Sequence, residues 1–339
     1  MPNVVLPLLS SFLSFVFGGL VFAQWLRRRR PFQLVWAVGL LWYGISAGTE
    51  FIGSAIGWNE PLYRVWYLIG AFFVAAYLGM GTVYLLGKTR FGFFVSASLV
   101  FAGLITLAAG TRYEAPLTAG LGALVAIAAG VSLALATAFR RDIAPHVLLA
   151  FLLGSSLAVA YLVVTAPLAA PGYATDPQTG VPVGEAMPGY LRPLPIPFNL
   201  AGALSLVFGA LFSAYVYMPK VKLMRGKART PVVAQLYGAL AVVVNFIASI
   251  PGAFVALTRG GLHSRVPATI LIALGGFVPG LTSGLNRFGV TWSFFLGEFI
   301  GVLLIFVGFL VSTEVFGERV RLGFLDLERS EPAPARQAS

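Results

Sequence analysis

The sequence predicts an all-α polytopic integral membrane protein, a single bundle of about ten transmembrane helices. Of its 339 residues, 58% are hydrophobic and only 10% are charged, whereas about a quarter of the residues of a soluble protein are charged. The 23 lysines and arginines fall between long apolar blocks or at their ends. Water therefore cannot be the main solvent of this chain, and the basic residues indicate where it leaves the hydrocarbon.

The helices follow from block length, because a hydrocarbon core of ~30 Å needs about 20 helical residues. Proline is favoured at a first helical position, and Pro31, Pro61, Pro116, Pro145, Pro197, Pro231 and Pro267 support the predicted starts. The ten predicted spans are 4–26, 32–56, 62–86, 91–110, 117–139, 146–168, 198–218, 232–257, 267–285 and 290–314.

The distribution of Lys and Arg over alternate gaps predicts the orientation, because basic residues collect on the cytoplasmic side. The odd-numbered gaps are rich in them, from Arg27–Arg30 to the run between Lys220 and Arg229. The even-numbered gaps hold Arg64, Arg112, Arg192, Arg259 and Arg265. We therefore expect a cell (plasma or inner) membrane protein with its N-terminus and the loop 169–196 outside, the loop being either a cap or a connector.

The side on which the chain ends is open at this stage. Ten spans put the arginine-bearing tail 318–339 outside, whereas nine spans put it inside. The weakest span is the ninth, where Pro279 and the glycines Gly276, Gly280 and Gly284 could form a re-entrant segment. The tail itself is predicted to be short and polar, with a disordered end.

An internal duplication favours ten spans. The string Leu13–Leu20 resembles Leu204–Leu211, and Arg90-Phe91-Gly92 recurs as Arg287-Phe288-Gly289. Residues 1–317 would then form one transmembrane domain with repeat halves 1–113 and 197–317, separated by residues 114–168 and the loop 169–196. In this arrangement helices 7–10 are a parallel copy of helices 1–4.

Composition and motifs exclude several classes of function. The chain has no cysteine, so cysteine-ligated metals and disulfides are absent. We found no nucleotide-binding or hydrolase motif and no His or carboxylate spacing that fits a metal site, so we expect no cofactor and no metal. The net charge of +11 fits anionic lipid at the inner face, not nucleic acid.

Carboxyl groups at membrane depth are costly and therefore candidates for function. Glu298, inside the last span, is the first of them, and its neighbours Gly297 and Gly301 predict close contact with another helix. Glu50, near the outer end of the second span, is expected to reach the outer surface. The strings Glu50-Phe-Ile-Gly and Glu298-Phe-Ile-Gly are alike, but they occupy non-equivalent helices of the proposed repeat and are interpreted as a coincidence.

A second set of candidates lies in spans eight and nine. Asn245 precedes Pro251-Gly252, and Pro279-Gly280 follows in the next span. A proline removes one helical hydrogen bond, and broken helices supply binding groups in many transporters; simple kinks are the alternative.

These features predict a secondary transporter or permease that uses a buried carboxylate to move a small solute or a proton. The alternative is a non-catalytic membrane module, such as a lipid or ligand sensor or a subunit of a complex. An enzyme is not expected, because no catalytic constellation is visible.

Overall fold

The computed structural model describes residues 2–169, 173–175, 182–224, 231–287, 293–312, 321–322 and 325–326. Ten of its helices are long and apolar enough to span a membrane, which confirms the all-α polytopic fold. The helices are α1 (Pro2–Arg28), α2 (Pro31–Ala55), α3 (Glu60–Leu68), a π-helical turn (Ile69–Phe73) that joins α3 to α4 (Val74–Leu86), α5 (Phe91–Arg112), α6 (Pro116–Phe139), α7 (Ala144–Thr165), α8 (Pro195–Tyr217), α9 (Pro231–Thr258), α10 (Arg265–Arg287) and α11 (Phe294–Val311).

Two antiparallel pairs of two-residue strands and two 3-10 turns, Gly184–Ala186 and Gly189–Leu191, complete the described secondary structure. β1 (Ala174–Thr175) pairs with β2 (Pro182–Val183) in the segment between α7 and α8. β3 (Arg321–Leu322) pairs with β4 (Leu325–Asp326) in the C-terminal tail. The rest of the tail, including its predicted disordered end, lies outside the described residues.

Proline and an asparagine cap set the helix starts. Pro31, Pro116 and Pro231 are the first residues of α2, α6 and α9, where the missing N–H costs nothing. The Asn59 side chain accepts a hydrogen bond from the Leu62 backbone N–H and so caps α3, satisfying one of its free donors. The predicted starts at these prolines are thereby confirmed.

The two ends of the bundle differ in charge. A Cβ added at Gly92 would meet Thr137, which shows that the start of α5 packs against the end of α6. Arg90 and Arg141 therefore lie at the same end, together with Arg27–Arg30, and we call this the basic end. Here Arg140 donates a hydrogen bond to Asp142 and lowers the pKa of its carboxyl. The opposite end, which carries the segment 166–194, is the loop end.

The last three helices run in directions that the sequence did not predict. α8 begins at the loop end and runs beside α4, where Gly202 meets Gly79 and Gly209 meets Thr82. The ring of Tyr217, the last residue of α8, contacts Arg265, the first residue of α10, with 4.4 Å between the guanidinium carbon and the ring centroid. α10 therefore starts at the basic end.

A pocket at the basic end confirms this placement, since Arg265 lines it together with Arg28 and Arg30. The prediction that Arg259 and Arg265 share a side with Arg64 is therefore wrong. α11 then runs antiparallel to α10: Gly297 packs on Thr282 near the loop end, and Gly308 on Ala268 near the basic end. The chain leaves α11 at the basic end.

α9 accounts for the difference from the predicted path. It has no extended contact with another helix among the described residues. Ala253 joins a cluster with Ala214, Met218 and Val266 at the junction of α8 and α10. The chain therefore enters and leaves the α9 segment at the basic end. Among the described residues, nine helical spans cross from one end of the bundle to the other, with α3 and α4 counted as one span. The helix that does not cross is α9, which is the eighth predicted span. The ninth predicted span, considered as a re-entrant segment from the sequence, is α10, and it crosses.

The predicted repeat required α10 to run in the same direction as the third helix. α3 and α4 run from the loop end to the basic end, whereas α10 runs from the basic end to the loop end. A parallel copy of helices 1–4 would give α10 the direction of α3 and α4, but α10 runs in the opposite direction.

The segment between α7 and α8 packs onto the loop end. Met187 and Leu191 are fully buried in a cluster with Tyr63, Tyr67 and Val163. The Tyr63 hydroxyl donates a hydrogen bond of 2.6 Å to the Val183 carbonyl. The described part of this segment is therefore folded and packs on α3 and α7. This packing favours a cap over a bare connector.

Candidate functional site: a buried carboxyl pair

The two carboxyl groups singled out from the sequence meet in the structure. Glu50 lies five residues before the end of α2, and Glu298 lies four residues after the start of α11. With a helical rise of 1.5 Å per residue, each is about 6–8 Å from the loop end of its helix. Because α11 starts at the loop end, the last turns of α2 and the first turns of α11 reach the same level.

The Glu50 and Glu298 carboxyl groups are close neighbours that interact directly with each other. A carboxylate can only accept, so a hydrogen bond between two carboxyl groups requires a proton on one of them. Glu50 Oε1 also accepts a 2.8 Å hydrogen bond from the indole Nε1–H of Trp66 in α3. Two acidic groups and the indole N–H donor of Trp66 thus meet inside the helical bundle.

Burial makes this arrangement unusual. The Glu50 residue is only 1% exposed, and Oε2 of its carboxyl receives no hydrogen bond from a donor group of any described residue. The prediction that Glu50 reaches the outer surface is wrong, because α3, α11 and the ring of Trp66 cover it. Glu298 is half-buried.

Tyr43 lies on the inward side of the pair. Its hydroxyl donates a 2.7 Å hydrogen bond to the backbone carbonyl of Glu298. Both carboxyl groups also act electrostatically on the Tyr43 phenol. The pair is thus enclosed by Trp66 on one side and by Tyr43 towards the middle of the bundle.

Other buried polar atoms near the loop end lack a partner among the described residues. Ser54 Oγ and Trp58 Nε1 follow Glu50 within three turns, and Ser10 Oγ lies in the first half of α1, which faces α2. Buried polar groups of this kind are normally satisfied by internal water. These three atoms place further polar groups at the loop end, on the side of the bundle where the pair lies.

Two of the four side chains at the site were missed from sequence, Trp66 and Tyr43. Neither residue is charged, so the cost of burying a charge in an apolar block does not point to them. The one signal for the pairing was the repeated string Glu-Phe-Ile-Gly, which had been dismissed as a coincidence. That interpretation rested on the proposed repeat, in which the two strings occupy non-equivalent helices.

The π-helical turn Ile69–Phe73 lies one turn after Trp66. The Asn199 side chain of α8 donates a 2.7 Å hydrogen bond to the Ala71 carbonyl within it. An α-helix opened into a π-turn leaves backbone carbonyls available to side chains, and such turns occur often at functional sites. Asn199 thus stabilises the irregular turn next to the Trp66 that binds the pair.

Asn245 lies far from the carboxyl pair, in the α9 segment at the basic end. Its Oδ1 accepts hydrogen bonds from the backbone N–H groups of Leu223 (2.8 Å) and Met224 (3.0 Å). Ser249 Oγ accepts a third from Val221. The amide therefore holds the extended segment after α8 against α9.

The candidate prolines lie inside continuous helices. α9 continues through Pro251 and Gly252, and α10 continues through Pro279 and Gly280, so neither helix is broken. Pro279 packs against Gly301, one turn along α11 from Glu298. Among Pro251, Gly252, Pro279 and Gly280, it is Pro279 that contacts α11, the helix that carries Glu298. A binding role for these residues stays a prediction.

The predicted close approach at Gly297 and Gly301 is present. Gly297 packs against Thr282 of α10, and a Cβ at Gly301 would meet Pro279. These contacts fix the rotation of α11 about its axis and thereby direct Glu298 towards α2. The glycines thus position the carboxyl without touching it.

Within the described residues, no group of three His, Asp or Glu side chains could hold a metal ion. The sequence matches no protein-family model, and neither the curated proteins nor the solved structures contain a match. The fold and the site thus define a class: a multi-pass α-helical membrane protein with two neighbouring carboxyl groups in its bundle.

Proposed function

We propose that this protein is a secondary transporter that couples the movement of a small solute to protonation of the Glu50–Glu298 pair. One observation carries the proposal: the two carboxyl groups are direct neighbours inside the bundle, where a proton on one of them would hydrogen-bond it to the other. Ionisable groups inside a membrane domain commonly mark proton or ion pathways. A pair that holds one proton can release it when its two helices separate.

The surroundings support exchange with the loop end. Glu50 Oε2, Ser54 Oγ and Trp58 Nε1 are buried polar atoms that water could bridge. No Lys or Arg lies on α2 or α11 within the helical segments, so the protonation of the pair is not fixed by an ion pair with its own helices. Tyr43 separates the pair from the apolar middle of the bundle.

The proposal includes an orientation in the cell membrane. The basic end carries Arg27–Arg30, Lys88, Arg90, Arg140, Arg141, Arg259 and Arg265, whereas Arg64, Arg112, Arg192 and Arg287 belong to the loop end. Basic residues collect on the cytoplasmic side and bind anionic lipid there. The basic end is therefore cytoplasmic, the N-terminus is outside, and the carboxyl pair opens outward.

Cysteine labelling tests the orientation, because the chain contains no cysteine. Single substitutions at Lys88 and Leu262 report on the basic end, and one at Asn59 reports on the loop end. A membrane-impermeant maleimide added to intact cells should label only the Asn59→Cys variant. Labelling of Leu262→Cys together with Asn59→Cys would contradict both the orientation and the path of α9.

Infrared difference spectroscopy tests the proton site directly. The native chain, reconstituted in liposomes, should show a protonated-carboxyl band that changes with pH and disappears in Glu298→Gln. Glu60→Gln is the matched control, since Glu60 is exposed at the loop end and pairs with Arg64 (2.6 Å); it should leave the band unchanged. A band that persists in Glu298→Gln would contradict the assignment.

Transport is tested in the same liposomes with a pH-sensitive dye inside. Solute gradients are applied in turn, and a coupled solute should change the internal pH with the native chain and with Glu60→Gln, but not with Glu298→Gln. Absence of any response over a broad panel of solutes, with the carboxyl band intact, would favour the non-catalytic module instead.

A further inference from the structure

A cavity of about 680 Å³ lies between α4, α5, α6, α7 and α8. Neither α2 nor α11 contributes to its lining, so it is separate from the carboxyl pair. Its walls are almost entirely hydrocarbon; the side chains that bring a hydroxyl are Thr118, Ser155 and Ser205. Its volume is in the range of ordinary ligand sites, but the lining offers nothing to hold a hydrated solute.

The cavity is long and narrow along the bundle. Its lining residues on α7 run from Leu148 to Leu162, and those on α6 run from Thr118 to Ala129. At 1.5 Å per residue these stretches are about 21 Å and 16 Å long, more than half of a ~30 Å hydrocarbon core. Such a shape fits one extended chain and not a compact molecule.

The cavity is open on one side to the bilayer. Leu121 and Val125 of α6 line it and are 55% and 45% exposed, and Gly154 of α7 has nothing within 4 Å of its Cβ position. A lipid chain can therefore enter sideways between α6 and α7 without passing through water. Since water gains nothing from such walls, hydrocarbon is the occupant that the lining accepts.

Positive charge lies at the loop end of the cavity. Leu194 closes this end of the lining, and Arg192 is two residues earlier in the chain. The guanidinium carbons of Arg112 and Arg192 are 5.7 Å and 5.9 Å from the centre of the Tyr113 ring, just before α6 begins. Arg192 also donates hydrogen bonds to the Met187 and Glu185 carbonyls, which hold its guanidinium at this level. Together with Arg112 it complements a phosphate group whose attached chain extends into the cavity.

We propose that this cavity binds one hydrocarbon chain of a phosphate-bearing membrane lipid, with the phosphate near Arg112 and Arg192. The site is independent of the proton-coupled transport proposed above, and either can hold without the other. The lipid either serves as a bound component of the fold or is the molecule that the protein handles.

Photocrosslinking tests the proposal with a defined probe, phosphatidylglycerol carrying a diazirine at the middle of one acyl chain. The full chain is reconstituted with it, irradiated, and mapped by peptide mass spectrometry. Crosslinks should concentrate in the stretches 121–129 and 150–162. Labelling spread evenly over all lipid-facing helices would mean bulk bilayer contact only and would overturn the proposal.

A cavity-filling variant separates the site from the bulk lipid. Gly154→Phe places a ring in the cavity without a backbone clash, and Gly120→Phe is the matched control, because the Cβ position of Gly120 is equally open but outside the lining. Gly154→Phe should lower the labelling about tenfold, a loss of ~1.4 kcal/mol in binding, and Gly120→Phe should leave it unchanged. Equal labelling in both variants would overturn the proposal.

Two further arms complete the test. Ala150→Phe, one turn from Gly154 on the same lining, should reproduce the loss and replaces Gly154→Phe if that variant fails to fold. Unlabelled phosphatidylglycerol should compete with the probe, whereas diacylglycerol should not. Equal competition by diacylglycerol would overturn the role of the phosphate.

Discussion

Two helix pairs of the same bundle, α10–α11 and α6–α7, pack in opposite ways. Between α10 and α11, glycines remove the side chains that would separate the helices: a Cβ at Gly275 would lie 2.6 Å from the Gly301 carbonyl oxygen, and one at Gly308 would lie 2.6 Å from that of Ala268. Between α6 and α7, the small residues have no such neighbour. Gly154 faces open space.

The difference shows that the environment of a small residue, and not its type, decides what it does. Where two backbones approach, a glycine fixes the rotation of a helix, and on α11 this directs Glu298 towards Glu50. Where no backbone approaches, the same residue leaves a cavity that hydrocarbon can fill. The carboxyl pair lies on α2 and α11, whereas the cavity is lined by α4 to α8.

The largest expected effect comes from adding a methyl group to a glycine at the contact between α10 and α11. Gly275→Ala and Gly308→Ala should each destabilise the fold by about 1–3 kcal/mol, the usual cost of overpacking, because the new Cβ meets backbone that cannot rotate away. Gly154→Ala should be neutral or stabilising by up to ~1 kcal/mol, from helix propensity. Thermal unfolding in detergent measures all three, and equal changes would remove the contrast between the two helix pairs.

A change of intermediate size is expected at the carboxyl pair. Glu50→Ala leaves the Trp66 indole N–H and the Glu298 carboxyl without their partner, which should cost about 1–3 kcal/mol. Glu50→Gln keeps an acceptor for Trp66 and a donor for Glu298, so it should cost less than half as much. The two variants are compared by denaturant unfolding, together with Trp66 fluorescence. A loss in Glu50→Gln as large as in Glu50→Ala would show that the charge matters and not the hydrogen bonds.

The smallest effect is expected at the basic end. Asn245→Ala removes the acceptor for the backbone N–H groups of Leu223 and Met224, so the segment 221–224 should exchange its amide hydrogens faster while global stability changes by only about 1 kcal/mol. Hydrogen exchange with mass spectrometry measures this. Ser249→Ala should release Val221 alone, and unchanged exchange in Asn245→Ala would show that the segment is held by other contacts.

The fold class could be predicted from the sequence because block length and charge placement depend only on the bilayer. The path of the last helices could not. α9 is as apolar as its neighbours, with a mean hydropathy of 2.2 over residues 240–258, so composition gives no sign that it lies apart from the bundle. The misplacement of Arg259 and Arg265 follows from counting α9 as a crossing.

The candidate site was predicted in part. Glu298 and Glu50 were identified because a carboxyl in an apolar block is costly, and that argument needs no tertiary structure. Their pairing depends on which end of α11 faces the loop end. Trp66, Tyr43 and Asn199 could not be identified, since a tryptophan, a tyrosine or an asparagine in a membrane helix is common and its partner lies on another helix.

The central claim is that the first turn of α11 meets the last turns of α2. A chain without cysteine allows a direct test, in which Glu50→Cys is combined with Glu298→Cys and treated with a short bifunctional thiol reagent in membranes. The control combines Glu50→Cys with Leu310→Cys, about 18 Å further along α11. We expect an intramolecular crosslink for the first combination alone. A crosslink for the Leu310 combination alone would reverse the direction of α11 and contradict the carboxyl pair.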